Sequence, residues 1–278
     1  MILTKKIGVR EASRKYGGFV RYFDTTEPLE QLAAIASAGP SRDILACCAG
    51  GNQVLTMIGA ASGIRSLWAV DINPAQLFVL AAKSIELRKK RSLPTFEQIL
   101  KAYPGKIAAV QKNVRSLREM KLCHMTTGQI ISPPRALMER YALVMDGGMF
   151  IDQSVRPRWQ SDQSYITKVK RNLDRLYFAR MDIFDAPECF KESSLDLIYL
   201  SDIYLPEALS FYQMKLVGLV KLLRCKGRIV CYLDPGDDYM GKGISPATLL
   251  VKGSRKLGLN VLMNRYARYL VLERIMRK

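Results

Sequence analysis

The chain has 278 residues, 49% of them hydrophobic, and its 43 Lys and Arg against 25 Asp and Glu give a formal net charge of +18. This length and apolar content suit one large domain with its own core and exclude a globally disordered chain. No uncharged run approaches the roughly 18–20 residues of a membrane span, and the N-terminus lacks a signal-peptide core, so we expect a cytoplasmic protein.

The excess of basic residues is unevenly distributed along the chain. Between Lys83 and Lys121 eleven basic residues stand against three glutamates, a net charge of +8, and between Lys252 and Lys278 eight stand against one, a net of +7. Such a field favours anionic partners, namely an anionic membrane surface, a nucleic acid or a phosphorylated substrate. A solvated basic surface without any ligand explains the same charge equally well.

The cysteines do not have the spacing of a metal site. None of the six forms a C-x-x-C pair, and the chain has one histidine, His124. The sequence therefore predicts no metal site and reduced thiols, as is usual in the cytoplasm.

The first half of the chain has the pattern of a strand–helix–strand–helix unit. An N-terminal lead-in over residues 1–40 includes a helix from Thr26 to about Ser37. A short apolar strand then ends at a glycine pair, and a second strand ends at an aspartate followed by a proline-initiated helix. The predicted elements are a strand over Asp43–Cys48, a helix capped by Asn52 that runs through Ala61, a strand over Ser66–Val70 and a helix from Pro74 to about Arg91.

The later part of the chain continues this alternation. Three further strands are predicted, with an amphipathic crossover helix between the last two, and the chain ends with two β-rich runs. Together these elements predict an α/β fold of the class I methyltransferase-like, Rossmann-like type: a mostly parallel sheet with an antiparallel C-terminal strand. The predicted ranges are Tyr177–Met181, Leu195–Leu200, Pro206–Arg224, Arg228–Leu233, Leu259–Met263 and Tyr269–Leu272.

One stretch interrupts this regular alternation. About 105 residues separate Asp71 from the strand at Tyr177, far more than a compact sheet needs, and a structureless loop of that length is improbable. We expect residues 92–170 to form a mainly helical insertion over the carboxyl ends of the strands, where such sheets bind ligands. Residues 1–278 would then form a single domain.

Two motifs at the ends of the first two strands suggest a nucleoside-containing ligand. The turn Ala49-Gly50-Gly51 lets a ligand approach the backbone, since glycine has no Cβ, and it departs from the G-x-G-x-x-G of dinucleotide sites. Asp71 ends the second strand, where a carboxylate can accept hydrogen bonds from both ribose hydroxyls. The alternatives are an ordinary tight turn and an aspartate that caps the next helix.

Two later strand ends carry further candidates. Asp182 could accept a hydrogen bond from the exocyclic amine of adenine, with Ile183 against the ring. Asp202 and Tyr204 follow Ser201 at the end of the central strand, and they are candidates for a general base or a substrate-orienting pair. Asp182 could instead be an ordinary turn residue, and Asp202 could begin a helix ahead of Pro206.

Two sequence runs resemble a known family. Residues 44–52 (ILACCAGGN) and 69–77 (AVDINPAQL) are similar to the S-adenosylmethionine (SAM)-binding half of the BtaA-like family. Its enzymes are SAM:diacylglycerol 3-amino-3-carboxypropyltransferases. The resemblance implies that the two runs and two later strand ends bind SAM as co-substrate. The residues expected at that site are Ala49, Gly50, Gly51, Asp71, Ile72, Gln76, Asp182, Ile183 and Ser201, with Asp202 close to the transferred group.

The resemblance implies transfer of the 3-amino-3-carboxypropyl group of SAM to a hydroxyl or amine acceptor, with release of methylthioadenosine and without a metal. A lipid acceptor would place the enzyme peripherally on the anionic inner membrane surface. Two alternatives remain open at this stage. One is a SAM-dependent methyltransferase acting on nucleic acid or a small molecule, and the other is a basic nucleic-acid-binding module without catalysis.

Overall fold

A computed structural model describes the chain over residues 27–71, 74–103, 122–123, 130–131, 158–201, 209–232, 254, 256–262 and 269–275. Seven strands form the main sheet: β1 Asp43–Cys47, β2 Ser66–Asp71, β3 Leu176–Arg180, β4 Leu195–Ser201, β5 Leu223–Tyr232, β6 Leu259–Val261 and β7 Tyr269–Arg274. The described helices are α1 Leu29–Ser37, α2 Asn52–Ala60, α3 Pro74–Lys89, α4 Phe96–Ala102, α5 Gln163–Asn172, α6 Ala186–Cys189 and α7 Leu209–Leu222.

The strands lie in the order β3-β2-β1-β4-β5-β7-β6. The first five pair in parallel, and β7 runs antiparallel between β5 and β6. This is the predicted class I methyltransferase-like sheet, and its antiparallel strand near the C-terminus is confirmed. The strand order reverses direction at β1 and β4, so the carboxyl ends of these two strands flank the crevice where open α/β sheets bind ligands.

Two apolar cores hold the helices to the sheet. Side chains of α1, α2, α3 and α5 pack against one face, and α6 and α7 pack against the other. The central strand β4 is buried along its whole length, as expected for a strand covered on both faces. Strand β5 begins at Leu223 instead of the predicted Arg228, because Leu223 already pairs with Leu195 at the start of β4.

The end of the predicted insertion packs beside the sheet. The indole of Trp159 donates to the hydroxyl of Thr56 at 2.9 Å, and the Tyr165 hydroxyl donates to the Thr56 carbonyl at 2.6 Å. Gly59 permits this contact, since a Cβ there would lie 2.3 Å from the Tyr165 ring. Residues 158–170 thus belong to the helical layer on α2, with α5 leading into β3.

Two shorter elements precede this layer. Helix α4 begins at a capping box formed by Thr95 and Gln98. Two short strands of two residues each, Leu122–Cys123 and Ile130–Ile131, pair antiparallel. The remainder of the predicted insertion over residues 92–170, including His124, lies outside the described residues, as does the lead-in before Glu27.

Over the described ranges, none of the helices combines the length and the apolar character needed to cross a bilayer.

Candidate functional site

Four neighbouring parallel strands bring the predicted residues to one edge of the sheet. In the order β3, β2, β1 and β4, the strand ends carry Asp182, Asp71, the turn at residues 48–51 and Ser201. Asp71 pairs in register with Arg180, and its carbonyl accepts from the Met181 N–H at 3.2 Å. Three strand spacings of about 4.8 Å make this row about 14 Å long. The row is elongated, as a nucleoside joined to an amino acid would require.

The glycine turn needs its glycine for two reasons. Gly51 has φ +86°, a left-handed conformation, and a Cβ there would lie 3.0 Å from the Leu80 side chain. Ala49 also has a positive φ, +43°, and the Gly51 N–H closes the turn on the Cys48 carbonyl at 2.8 Å. Gly51 is the N-cap of α2, so the prediction that Asn52 caps the helix is wrong. Asn52 is its first helical residue.

Two side chains of α3 hold the turn from beneath. The Gln76 amide donates to the Ala49 carbonyl at 2.6 Å, and the Lys83 ammonium donates to the Gly50 carbonyl at 2.9 Å and to the Asn52 side chain at 2.8 Å. Gln76 is 2% exposed and Lys83 is 0% exposed. The predicted residue Gln76 therefore lies at the site as a support of the turn, and Lys83 is no part of the basic surface to which the charge count assigned it.

The two predicted carboxylates, of Asp71 and Asp182, lie on adjacent strand ends and are both half-buried. Asp182 accepts from the Phe184 N–H at 3.0 Å and so caps a short 3₁₀ turn over Ile183–Asp185. Ile183 is buried in the core beneath α7. Ile72, Asp202 and Tyr204 lie outside the described residues, so their predicted roles remain predictions.

The sequence did not predict a buried carboxylate beside Ser201. Glu27 is 3% exposed, and its carboxylate accepts from four side chains. The donors are Ser201 Oγ at 2.6 Å, Tyr269 OH at 3.0 Å, Gln53 Nε2 at 3.2 Å and Tyr199 OH. Burial raises the pKa of both tyrosines, and the Glu27 charge raises it further. Both phenols therefore stay protonated and act as donors at neutral pH.

The electrostatics of the turn are visible in Cys48. Burial raises the pKa of this thiol well above its usual range, the Asp71 carboxylate raises it further, and the Lys83 ammonium opposes the change. Both charges therefore act at the turn, one from the end of β2 and one from α3. Within the described residues, no group of three or more His, Cys, Asp and Glu side chains could hold a metal ion.

These pKa shifts predict which thiols react. At pH 8 we expect iodoacetamide to modify the exposed Cys225 and to leave Cys48 and Cys231 intact, because both are buried and burial raises the pKa of Cys231 to about 12. Peptide mass spectrometry would measure the labelling, with urea-denatured protein as the control in which every cysteine reacts. Labelling of Cys48 in the folded protein at the rate of Cys225 would contradict the burial of the turn.

Two described members of the basic runs, Arg88 and Arg274, lie at the opposite edge of the sheet. Arg88, in the last turn of α3, is ion-paired with Asp174 at 2.6 Å just before β3 begins. Arg274, the last residue of the antiparallel β7, donates to the Lys221 carbonyl at 3.1 Å, next to the start of β5. These cations are therefore remote from Asp71 and the glycine turn.

Comparison with known proteins adds similarity of fold alone. No protein-family model and no curated protein matches the sequence. Similar solved structures include the N-methyltransferase NodS from Bradyrhizobium japonicum with S-adenosyl-L-homocysteine, at 11% identity and a TM-score of 0.44 over 95% of this chain and 96% of that chain. A SAM-dependent O-methyltransferase from Thermotoga maritima has 10% sequence identity and a TM-score of 0.38, over 92% of this chain and 68% of that chain. The 1,6-didemethyltoxoflavin-N1-methyltransferase from Burkholderia thailandensis has 14% sequence identity and a TM-score of 0.38, over 89% of this chain and 78% of that chain. With similarities this low, the fold class rests on the strand order of the chain itself.

Proposed function

We propose that this chain is a SAM-dependent transferase that moves the 3-amino-3-carboxypropyl group of SAM to a hydroxyl or amine acceptor. The observation that carries the SAM assignment is the row formed by Asp182, Asp71, the glycine turn and Ser201 at one sheet edge. Two carboxylates at its adenosine end suit a ligand that offers an amine and two hydroxyls. The left-handed turn between these carboxylates and Ser201 depends on Gly51, because a Cβ there would meet the Leu80 side chain.

In the proposed complex the adenosine lies across the ends of β3 and β2. Asp182 accepts from the adenine amine and Asp71 accepts from the ribose hydroxyls. The amino-acid end then lies over the glycine turn and Ser201, between β1 and β4, at the switch point of the sheet. The turn itself includes Ala49 and Gly50, and Gln76 fixes it from below. Ile72 and Ile183 follow the two aspartates directly in the sequence.

The choice of group transferred rests on the resemblance in residues 69–77. The acceptor attacks Cγ of the methionine moiety, the Cγ–S bond breaks, and its electron pair stays on sulfur, which leaves as neutral methylthioadenosine. The proton of the acceptor passes to a base, for which Asp202 and Tyr204 are the candidates. Methyl transfer would use the same sulfonium, so the outcome depends on which carbon lies in line with the nucleophile.

The net charge of the chain bears on the choice of acceptor. A lipid acceptor would place the protein peripherally on an anionic membrane, and the net charge of +18 favours such a surface. Arg88 and Arg274 lie at the edge of the sheet opposite the proposed SAM-binding residues. They would therefore contact a partner at that edge and not an acceptor at Ser201.

The second candidate is a SAM-dependent methyltransferase acting on a small molecule or nucleic acid. The seven-stranded sheet with an antiparallel seventh strand suits that activity as well, since fold does not determine the reaction. A non-catalytic nucleic-acid-binding module is the third candidate, and it is supported only by the basic charge.

Mass spectrometry of the SAM-derived products separates these candidates. We expect methylthioadenosine to accumulate when the protein is incubated with SAM and vesicles that contain diacylglycerol, at a rate well above that without protein. The protein-free control is needed because SAM releases some methylthioadenosine spontaneously, and an Asp71→Ala variant controls for contaminating enzymes. S-adenosylhomocysteine as the main product would establish the methyltransferase. No SAM binding, with duplex binding that falls steeply as salt rises, would establish the binding module.

A further inference from the structure

Strand β4 ends in a strained residue. Ser201 has φ +56°, in the left-handed region that residues with a Cβ rarely adopt, and it is 5% exposed. The pairing of β4 with β5 also shifts register between Tyr199 and Ser201. Backbone strain of this kind persists only where surrounding contacts enforce it, and it concentrates at functional sites.

The hydroxyl of Ser201 is fixed by the carboxylate of Glu27 at 2.6 Å. That carboxylate is held in turn by Tyr199, two residues earlier on the same strand, and by Tyr269 of β7 at 3.0 Å. Gln53, in the first turn of α2, donates to the same oxygen as Ser201 at 3.2 Å. One buried carboxylate thus joins the start of α1 to α2, β4 and β7, through charge-assisted hydrogen bonds, which are stronger than neutral ones.

We propose that Glu27 is a positioning residue of the SAM site: it holds Ser201 in the left-handed conformation and so sets the direction in which the chain leaves β4. This inference rests on the proposed function, because it matters to catalysis only if the amino-acid end of SAM lies between β1 and β4. Asp202 and Tyr204, the two candidate catalytic residues, follow Ser201 in the sequence. The simpler alternative is that Glu27 only anchors α1 to the sheet.

The first test compares Glu27→Gln with Glu30→Gln. The amide nitrogen that replaces one carboxylate oxygen cannot accept hydrogen bonds, so in Glu27→Gln at least one hydroxyl of the cluster loses its acceptor. Glu30→Gln makes the same chemical change at an exposed position three residues further along the chain. We expect isothermal titration calorimetry to show SAM affinity about tenfold weaker for Glu27→Gln and unchanged for Glu30→Gln. Affinity equal to wild type in Glu27→Gln, with wild type binding SAM, would overturn the inference.

The second test separates positioning from anchoring and does not depend on the folding of Glu27→Gln. Ser201→Gly and Ser201→Ala both remove the hydroxyl, but only glycine adopts a positive φ without strain. If Glu27 serves to hold this conformation, the glycine variant should bind SAM about fivefold more tightly than the alanine variant. Equal losses of SAM affinity in the two variants would mean that binding does not depend on the left-handed conformation at residue 201, and would overturn the inference.

The two proposals can fail separately. If wild type binds no SAM, the proposed function is wrong. Thermal unfolding of Ser201→Gly and Ser201→Ala then still tests whether the left-handed conformation at residue 201 is held by its surroundings. A higher midpoint for Ser201→Gly than for Ser201→Ala would support the strained turn, because alanine at a positive φ destabilises more than the glycine's extra unfolded-state freedom does. Equal or reversed midpoints would reject it.

Discussion

The Asp71→Ala variant should lose SAM binding by at least about 100-fold while its unfolding midpoint stays close to that of wild type. Asp71 is half-buried at the end of β2, and its backbone, which the substitution leaves unchanged, makes the contact to β3. In the proposed complex its carboxylate accepts from two ribose hydroxyls. Hydrogen bonds to a charged group contribute about 1.5–3 kcal/mol each, so losing both weakens binding by more than two orders of magnitude.

Calorimetric titration with SAM and with S-adenosylhomocysteine would measure this loss, since both ligands carry the same ribose. Asp174→Ala is the matched control, because that carboxylate is 78% exposed, pairs with Arg88 and lies at the opposite edge of the sheet. Exposed ion pairs contribute at most about 1 kcal/mol, so this variant should bind like wild type. Unchanged affinity in Asp71→Ala would refute the SAM assignment, and equal losses in both variants would point to a general effect on stability.

The sheet could be predicted because each of its strands has a strong local signal. β1 and β2 are short apolar runs that end in glycine or aspartate, and the helices after them begin where a turn residue or a proline permits. Parallel neighbours of this kind are buried on both faces, which is what makes their sequence a continuous apolar run. Boundaries were less predictable. β5 extends back to Leu223 because it pairs with β4, and this is a tertiary contact that no local pattern reports.

The site could be predicted only where its residues end strands. Asp71, Gly51 and Asp182 follow apolar runs directly, so the sequence itself places them at the carboxyl edge. Glu27 gives no such signal, since an acidic residue before Pro28 looks like an ordinary helix start. Its donors come from α2, β4 and β7, up to 242 residues away in the chain. Lys83 offered one clue: it follows six apolar residues, 77–82, where an exposed lysine would be out of place.

Lys83 and Glu27, which the sequence did not place at the site, contact consecutive residues in the first turn of α2. Asn52 accepts from Lys83 and Gln53 donates to Glu27, so a buried cation and a buried carboxylate both hold the first turn of α2. The turn before this helix approaches the ligand in the proposed complex, and its Ala49 carbonyl is fixed by Gln76. The conformation of the glycine turn is therefore held by buried side chains that would not themselves contact SAM in the proposed complex.

This arrangement predicts that Lys83→Met will both destabilise the protein and weaken SAM binding. Methionine has a similar length and fits a buried position, but it removes the hydrogen bonds that Lys83 donates to the Gly50 carbonyl and to the Asn52 side chain. Loss of the donor to a buried acceptor costs about 1–3 kcal/mol, so the two together should lower the stability by about 2–6 kcal/mol. Thermal and urea unfolding would measure the stability, and calorimetric titration would measure the affinity, which should fall because the Gly50 peptide is no longer fixed.

Arg88→Met, on the same helix, is the control for this variant. The Arg88 side chain is 42% exposed and pairs with Asp174, which is 78% exposed, so its loss should change stability by less than about 1 kcal/mol and leave SAM affinity unchanged. A midpoint for Lys83→Met equal to or above that of wild type would mean that desolvation of the ammonium cancels its two hydrogen bonds, as occurs in some buried ion pairs. In that case a variant of full stability but weakened SAM affinity would show that Lys83 is retained to shape the glycine turn and not to stabilise the fold.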